Sequence, residues 1–202
     1  MCHEFHSSDF ESDDMNLEEE ILKEHSRRQT DRIARWIGSD RRRYGELIEL
    51  LLHGEPVITQ RAAWILSICH DAHRHLILPH LPNILKKLQE PGVHAALKRN
   101  VVRSLQNCDI PQSQLGTVVS LCFDFLAALD TPVAIRANAM TVLLNISDRE
   151  PDLKRELRTS IELMLPHCEP AIVSRARMVM KKLDRELTAP QSNFSTRRGK
   201  RT

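Results

Sequence analysis

Five side chains in the stretch HDAHRHLILPH can bind a metal or move a proton: His70, Asp71, His73, His75 and His80. On a helix, His70 and His73 stand one turn apart, which can bring two imidazoles to one metal ion. No HxxxH or HExxH spacing fixes them, however, and histidine near a helix end is also favoured by the helix dipole. A second constellation is basic. Arg28, Arg32 and Arg35 recur at i, i+4 and i+7, and Arg41, Arg42 and Arg43 follow. Between residues 27 and 43, seven arginines stand against Asp31 and Asp40. A curved row of helices brings Lys98, Arg99 and Arg103 near that stripe. Such a surface suits phosphates or an acidic partner, although a basic stripe is more often only a solvated helix face. Arg28, Arg32, Arg35, Lys98 and Arg103 are therefore the candidate partner contacts.

Trp36 and Trp64 are the aromatics that could stack on a nucleic-acid base. Trp64 lies in the apolar run AAWILSI, which favours core packing, and no aspartate is spaced near it as an obvious catalytic partner. Dinucleotide, P-loop, nucleophile-elbow, HExxH and paired-cysteine zinc patterns are all absent. No catalytic residue, metal or cofactor is assigned.

The elements that must position these groups repeat. Glu55 opens EPVITQRAAWILSICHD, Glu90 opens EPGVHAALKRNVVRSLQ, Asp130 opens DTPVAIRANAMTVLLNI, and Glu169 opens EPAIVSRARMVMKKL. Their arginines, Arg61, Arg99, Arg136 and Arg175, are separated by 38, 37 and 39 residues. A period near forty residues marks stacked helix pairs. Apolar stripes agree: Leu115, Val118, Val119, Cys122, Phe125, Leu126 and Leu129 follow helical spacing, and no stretch alternates as a half-buried strand does. Asn16–Ile37 reads as one helix ended by Gly38, Asp40 as the cap of the next, and Gly54 as its end. About nine helices and no sheet are expected.

Size and composition fit that picture. A 202-residue chain can bury roughly 70% of its unfolded surface without staples. The formal charge of +2 is unevenly spread: residues 1–14 hold five acids and no Lys or Arg, while residues 188–202 hold four bases and no acid. Both ends lack an apolar period and are expected to be disordered tails flanking a domain over 15–187. Met15, where the regular sequence begins, is a second candidate start. Cys2, Cys69, Cys108, Cys122 and Cys168 are an odd number with no CxxC, which suits a reducing compartment. No run approaches the ~18 apolar residues of a membrane span, so a cytoplasmic location is expected.

The repeated phrase resembles the HEAT family of α-solenoids, and QRAAWILS, KRNVVRSLQ and RANAMTVLLNI look like small bacterial HEAT-like proteins. An acid stands six residues before the arginine in Glu55/Arg61, Asp130/Arg136 and Glu169/Arg175. Proline follows the acid closely, and alanine follows the arginine. The second unit departs, with Glu90 nine residues before Arg99 and Asn100 in place of the alanine. The resemblance implies a right-handed α–α solenoid of about four helix pairs behind an N-terminal helix. It also implies an inter-repeat ladder of Glu55, Arg61, Arg99, Asp130, Arg136, Glu169 and Arg175. The function expected from it is non-enzymatic: a scaffold or adaptor holding a peptide or protein on its concave face. The alternative is a nucleic-acid-binding protein related to the HEAT-like glycosylases of alkylated bases.

Overall fold

The computed structural model describes residues 15–128, 130–167 and 169–188. The expected tails lie outside them, apart from Thr188, which ends the last helix. So do Leu129 and Cys168. The described residues form ten α-helices and no strand: α1 Leu17–Lys23, α2 Arg27–Ile37, α3 Arg41–His53, α4 Pro56–Ala72, α5 Leu81–Leu88, α6 Ala95–Leu105, α7 Gln112–Ala127, α8 Val133–Ile146, α9 Leu153–Met164 and α10 Pro170–Thr188. Short 3-10 segments, Arg74–His80 and Leu165–His167, follow α4 and α9.

The N-terminal stretch is two helices, not the single one expected. Glu24 is extended (φ −152°, ψ 139°) and breaks the helix. Two residues later the Ser26 hydroxyl accepts from the Gln29 N–H at 3.1 Å and starts α2. Gln29 then turns back, its Nε2 donating to the Glu20 carbonyl at 2.9 Å and to Glu20 Oε2 at 2.8 Å. This buried bond folds α2 onto α1. The described residues thus hold five helix pairs, α1/α2 being a short first one.

Successive pairs stack in two rows. The first helices α1, α3, α5, α7 and α9 form one row, and the second helices α2, α4, α6, α8 and α10 form the other. One apolar core runs between them, from Leu17 to Leu183. The second helices share a register. Their third residue is buried in every case: Gln29, Ile58, Leu97, Ile135 and Ile172. The seventh is buried too: Ile33, Ala62, Val101, Ala139 and Ala176. Small side chains at several of these places let the helices approach closely. Among the described residues no helix is long and apolar enough to cross a membrane.

The turns are built tightly. Asp40 Oδ1 accepts from the N–H groups of Arg42 and Arg43 at 2.8 and 3.0 Å and caps α3. Gly54 ends α3, its N–H donating to the Leu50 carbonyl at 3.0 Å. A Cβ on Gly54 would lie 2.5 Å from the Leu50 oxygen and 2.9 Å from Ile58 Cγ2. Both neighbours are fixed, one by the helix and one by the core. Gly54→Ala should therefore destabilise the fold by about 1–3 kcal/mol through forced backbone movement. Urea unfolding measures this, and an unchanged midpoint would show that the α3–α4 turn yields freely.

Candidate functional site

The histidine cluster does not assemble. His70 points into the core from α4 and is 1% exposed, whereas His75 is exposed in the following 3-10 segment. His80 is half-buried against Tyr44, with ring centroids 5.9 Å apart. No three His, Cys, Asp or Glu side chains among the described residues lie close enough to hold a metal ion. Both ring nitrogens of His70 are buried without a well-formed hydrogen bond, the Ser104 backbone being a polar group beside them. Burial depresses its pKa, and the nearby Asp71 carboxylate offsets this only in part. Burial pushes the thiols of Cys69 and Cys122 up to about 12 and that of Cys108 up to about 11. At neutral pH these free cysteines are protonated packing groups rather than nucleophiles.

The tryptophans part company. Trp36 is buried, and the Arg43 guanidinium stands 4.5 Å from its ring centre. Trp64, whose apolar run favours core packing, is half-buried on α4 and meets the His25 ring edge-on at 5.4 Å.

The expected ladder changes its members. In the shared register, the sixth residue of each second helix is Arg32, Arg61, Asn100, Asn138 or Arg175. Arg99 comes fifth in α6, and Arg136 fourth in α8. Arg61 Nη1 donates to the carbonyls of Ile21 and Leu22 at 2.9 and 3.0 Å, closing the last turn of α1. Arg175 Nη1 donates to Thr141 Oγ1 on α8 at 3.1 Å. Asn138 Nδ2 donates to the Arg99 carbonyl at 3.4 Å, while its Oδ1 accepts from Gln106 Nε2 at 2.9 Å. Farther along, Asn145 Nδ2 reaches the Gln106 carbonyl at 2.8 Å, and Arg149 Nη1 the Ile110 carbonyl at 3.0 Å. Neighbouring repeats are thus sewn mainly by side chains bonding neutral oxygens. Glu55 and Glu169 are exposed, and neither forms an ion pair with the arginine six residues on. Arg136 is buried, its Nε donating to the Thr131 carbonyl at 3.0 Å in the turn before α8. Arg99 is exposed and joins the seam through its carbonyl.

The candidate partner contacts lie on α2 and α6, the two helices flanking α4. Arg28 pairs with Glu24 at 3.4 Å, and Arg32 with the buried Glu20 at 3.2 Å. Lys23 and Arg32 hold the Glu20 carboxyl below the usual range against the cost of its desolvation. Arg35 Nε donates to the Asp31 carbonyl at 3.3 Å, and Arg27 holds the Asp31 carboxylate at 2.8 Å. Arg103 binds Asp71 at 2.8 Å across the α4–α6 seam. Lys98 stands 5.7 Å from the centre of the Phe125 ring.

A wider pattern surrounds them. The five second helices carry fourteen Lys and Arg against four acids, whereas the five first helices carry nine against eight. Nearly all the net positive charge of the helices therefore belongs to one layer. A cavity of about 540 Å³ opens on that layer between the C-terminal halves of α2 and α4. Ala34, Ile68, Cys69 and Ala72 give it apolar walls, and Asp31, Arg35 and His73 stand around it. These apolar residues were not singled out from the sequence. Their one signal is two alanines, Ala34 and Ala72, where a larger side chain would fill the gap.

Two stability measurements follow from this geometry. Arg61→Ala removes two charge-assisted bonds from a half-buried site and should cost about 1–3 kcal/mol, while Arg99→Ala should stay within about 0.5. Equal losses in thermal melts would put Arg99 back in the ladder. His70 supplies the second. Its folded pKa lies below the ordinary ~6.5, so as pH falls through that value the unfolded chain takes up a proton that the fold refuses. Stability is then lost toward acid, by up to about 1.4 kcal/mol per pH unit for this one group. Comparing urea midpoints at pH 7.5 and 5.5, His70→Leu should show a smaller acid loss than the parent. An identical loss would assign the acid sensitivity to other groups.

Comparison with known proteins agrees with the architecture. No significant match was found among curated proteins or among solved structures. A family model described as a HEAT repeat domain matches residues 17–183, from the first turn of α1 to the buried Leu183 near the end of α10. The chain belongs to the HEAT-repeat family.

Proposed function

We propose that this protein is a non-enzymatic interaction scaffold whose second-helix layer, as the concave face, receives an acidic segment of a partner protein. The observation that carries this is the division of charge: fourteen bases against four acids on one layer, near balance on the other. Two features favour a polypeptide over a phosphate backbone. The opening between α2 and α4 has an apolar floor that suits an aliphatic or aromatic anchor rather than a sugar-phosphate chain. Several arginines are also already held by this chain's own carboxylates, so they form a mixed rim that a flexible acidic side chain can enter by exchanging partners. Arg28, Arg32, Arg35, Lys98 and Arg103 supply the attraction. The layer works by complementary shape and charge, in the cytoplasm, where its thiols remain reduced.

A fluorescein-labelled fourteen-residue peptide of Glu, Ser and Phe tests the proposal beside a labelled 20-base-pair DNA duplex. Anisotropy should show peptide binding at 50 mM salt that weakens about tenfold or more in Arg28→Glu/Arg35→Glu. If the duplex binds more tightly than the peptide, with a steep salt slope, the layer is a nucleic-acid surface instead. No binding of either removes the proposal.

A further inference from the structure

The histidines that fail to gather around a metal leave two of their number in one cavity. Between the first turn of α3 and the 3-10 segment after α4, His75 and His80 line an opening of about 360 Å³. Arg41, Tyr44, Leu76 and Pro79 complete its wall. We propose that this cavity binds a small aromatic carboxylate, with Arg41 holding the carboxylate and the corner between Tyr44 and His80 receiving the ring.

Three observations carry it. The first is the balance of polar groups. Arg41, His75 and His80 bring nitrogen donors to the opening, and no carboxylate lines it. Among the described residues, no hydrogen bond or ion pair holds any of these three side chains. Arg27, Arg28, Arg32 and Arg103, in contrast, are each paired with a carboxylate of this chain. Asp40 stands beside Arg41 in sequence, but its Oδ1 accepts from the N–H groups of Arg42 and Arg43 and does not line the cavity. Donors without an acceptor of their own are matched by an anion that enters from outside.

The second observation is shape. Tyr44 is fully buried, and the half-buried His80 ring lies 5.9 Å from it with the two planes 41° apart. Rings at that separation touch, so they form a closed corner rather than a slot for a third ring. Leu76 and Pro79 add aliphatic carbon around it. A flat ring resting there meets apolar surface on several sides, as small-molecule sites provide. The volume lies near the lower end of the range for such sites, ~300–1,000 Å³, which suits one ring with a short acidic group.

The third is charge. Arg41 is the one lining side chain whose charge is permanent. Burial depresses the His80 pKa, and Glu49 offsets this only in part, so near neutral pH His80 brings an N–H rather than a second full charge. One guanidinium balances one carboxylate and can hold it through two parallel bonds, whereas a doubly charged phosphate would be left under-neutralised. This cavity shares no lining residue with the α2–α4 opening, so it does not depend on the acidic-peptide reading.

The experiment titrates the full 202-residue chain and its Arg41→Gln variant with benzoate and with the uncharged analogue benzamide. Arg41 is exposed, so the substitution leaves the core unchanged. NMR resonances of His75, Leu76 and His80 should shift saturably with benzoate, with a dissociation constant of about 1 mM or below. Benzamide should bind the parent about tenfold more weakly, and Arg41→Gln should bring benzoate down to that level while leaving benzamide unaffected. No saturable shift at these residues by about 10 mM benzoate overturns the inference. An equal loss of both ligands in Arg41→Gln makes the arginine structural and overturns the carboxylate contact. Inorganic phosphate binding more tightly than benzoate overturns the aromatic class.

Discussion

A pair of short helices cannot bury both of its apolar faces alone, and everything in this protein follows from that shortage. Each second helix must bury its third and seventh residues against its own partner and its neighbours at once. The register is therefore the same in α2, α4, α6, α8 and α10. Close approach then brings backbone carbonyls of one repeat within reach of side chains from the next. Arg61, Asn138, Asn145 and Arg149 each use that proximity, and Arg175 reaches the Thr141 hydroxyl in the same way, all spanning about one repeat in sequence. A bond to a neutral oxygen costs less desolvation than a buried ion pair, so the seam gains directionality without the penalty of two buried charges. The buried Glu20 is an exception; Lys23 and Arg32 neutralise it, and Gln29 Nε2 donates a hydrogen bond to it.

This way of closing the seams has an electrostatic consequence. Because most seam contacts end on neutral oxygens, with Arg103–Asp71 and Lys182–Asp148 as ion-paired exceptions, few acids are needed on the second helices. The bases there are left as a one-sided surplus. The first helices, whose faces carry i, i+4 pairs such as Arg158–Glu162, stay close to neutral. Architecture and charge asymmetry are therefore linked: Arg32, Arg61, Arg136 and Arg175 serve the fold, and the remaining surplus is available to binding.

The fold was legible where one residue type has one physical meaning. The prolines opening α4 and α10, the glycines ending α2 and α3, and the aspartate capping α3 all announce themselves. The break between α1 and α2 was not, because the apolar stripe of Leu17 and Ile21 resumes at Ile33 and Trp36 as if one helix continued. The signal was Ser26 with Gln29 three residues on, a cap pattern too short to outweigh the stripe. The ladder misled for a different reason. Arginines at spacings of 38, 37 and 39 look like one repeated position, yet the helices begin at 56, 95, 133 and 170. Burial defines the register, and arginine identity only shadows it. His70 shows the same limit, since a histidine near a helix end is equally compatible with solvent and with the core.

The site was less legible than the fold because it is made of what is missing. Sequence marks arginines readily, and it pointed to α2 and α6, but the groove between α2 and α4 depends on side chains too small to fill it. Ala34 and Ala72 are unremarkable as letters and become informative only when the chain sets them across from each other beside Ile68. Ala72 is exposed, so a larger residue there would narrow the opening without entering the core. Folding does not demand the exposed Arg35 beside it either. Two features that the core does not require, meeting at one edge of the basic layer, are better explained by a ligand than by stability.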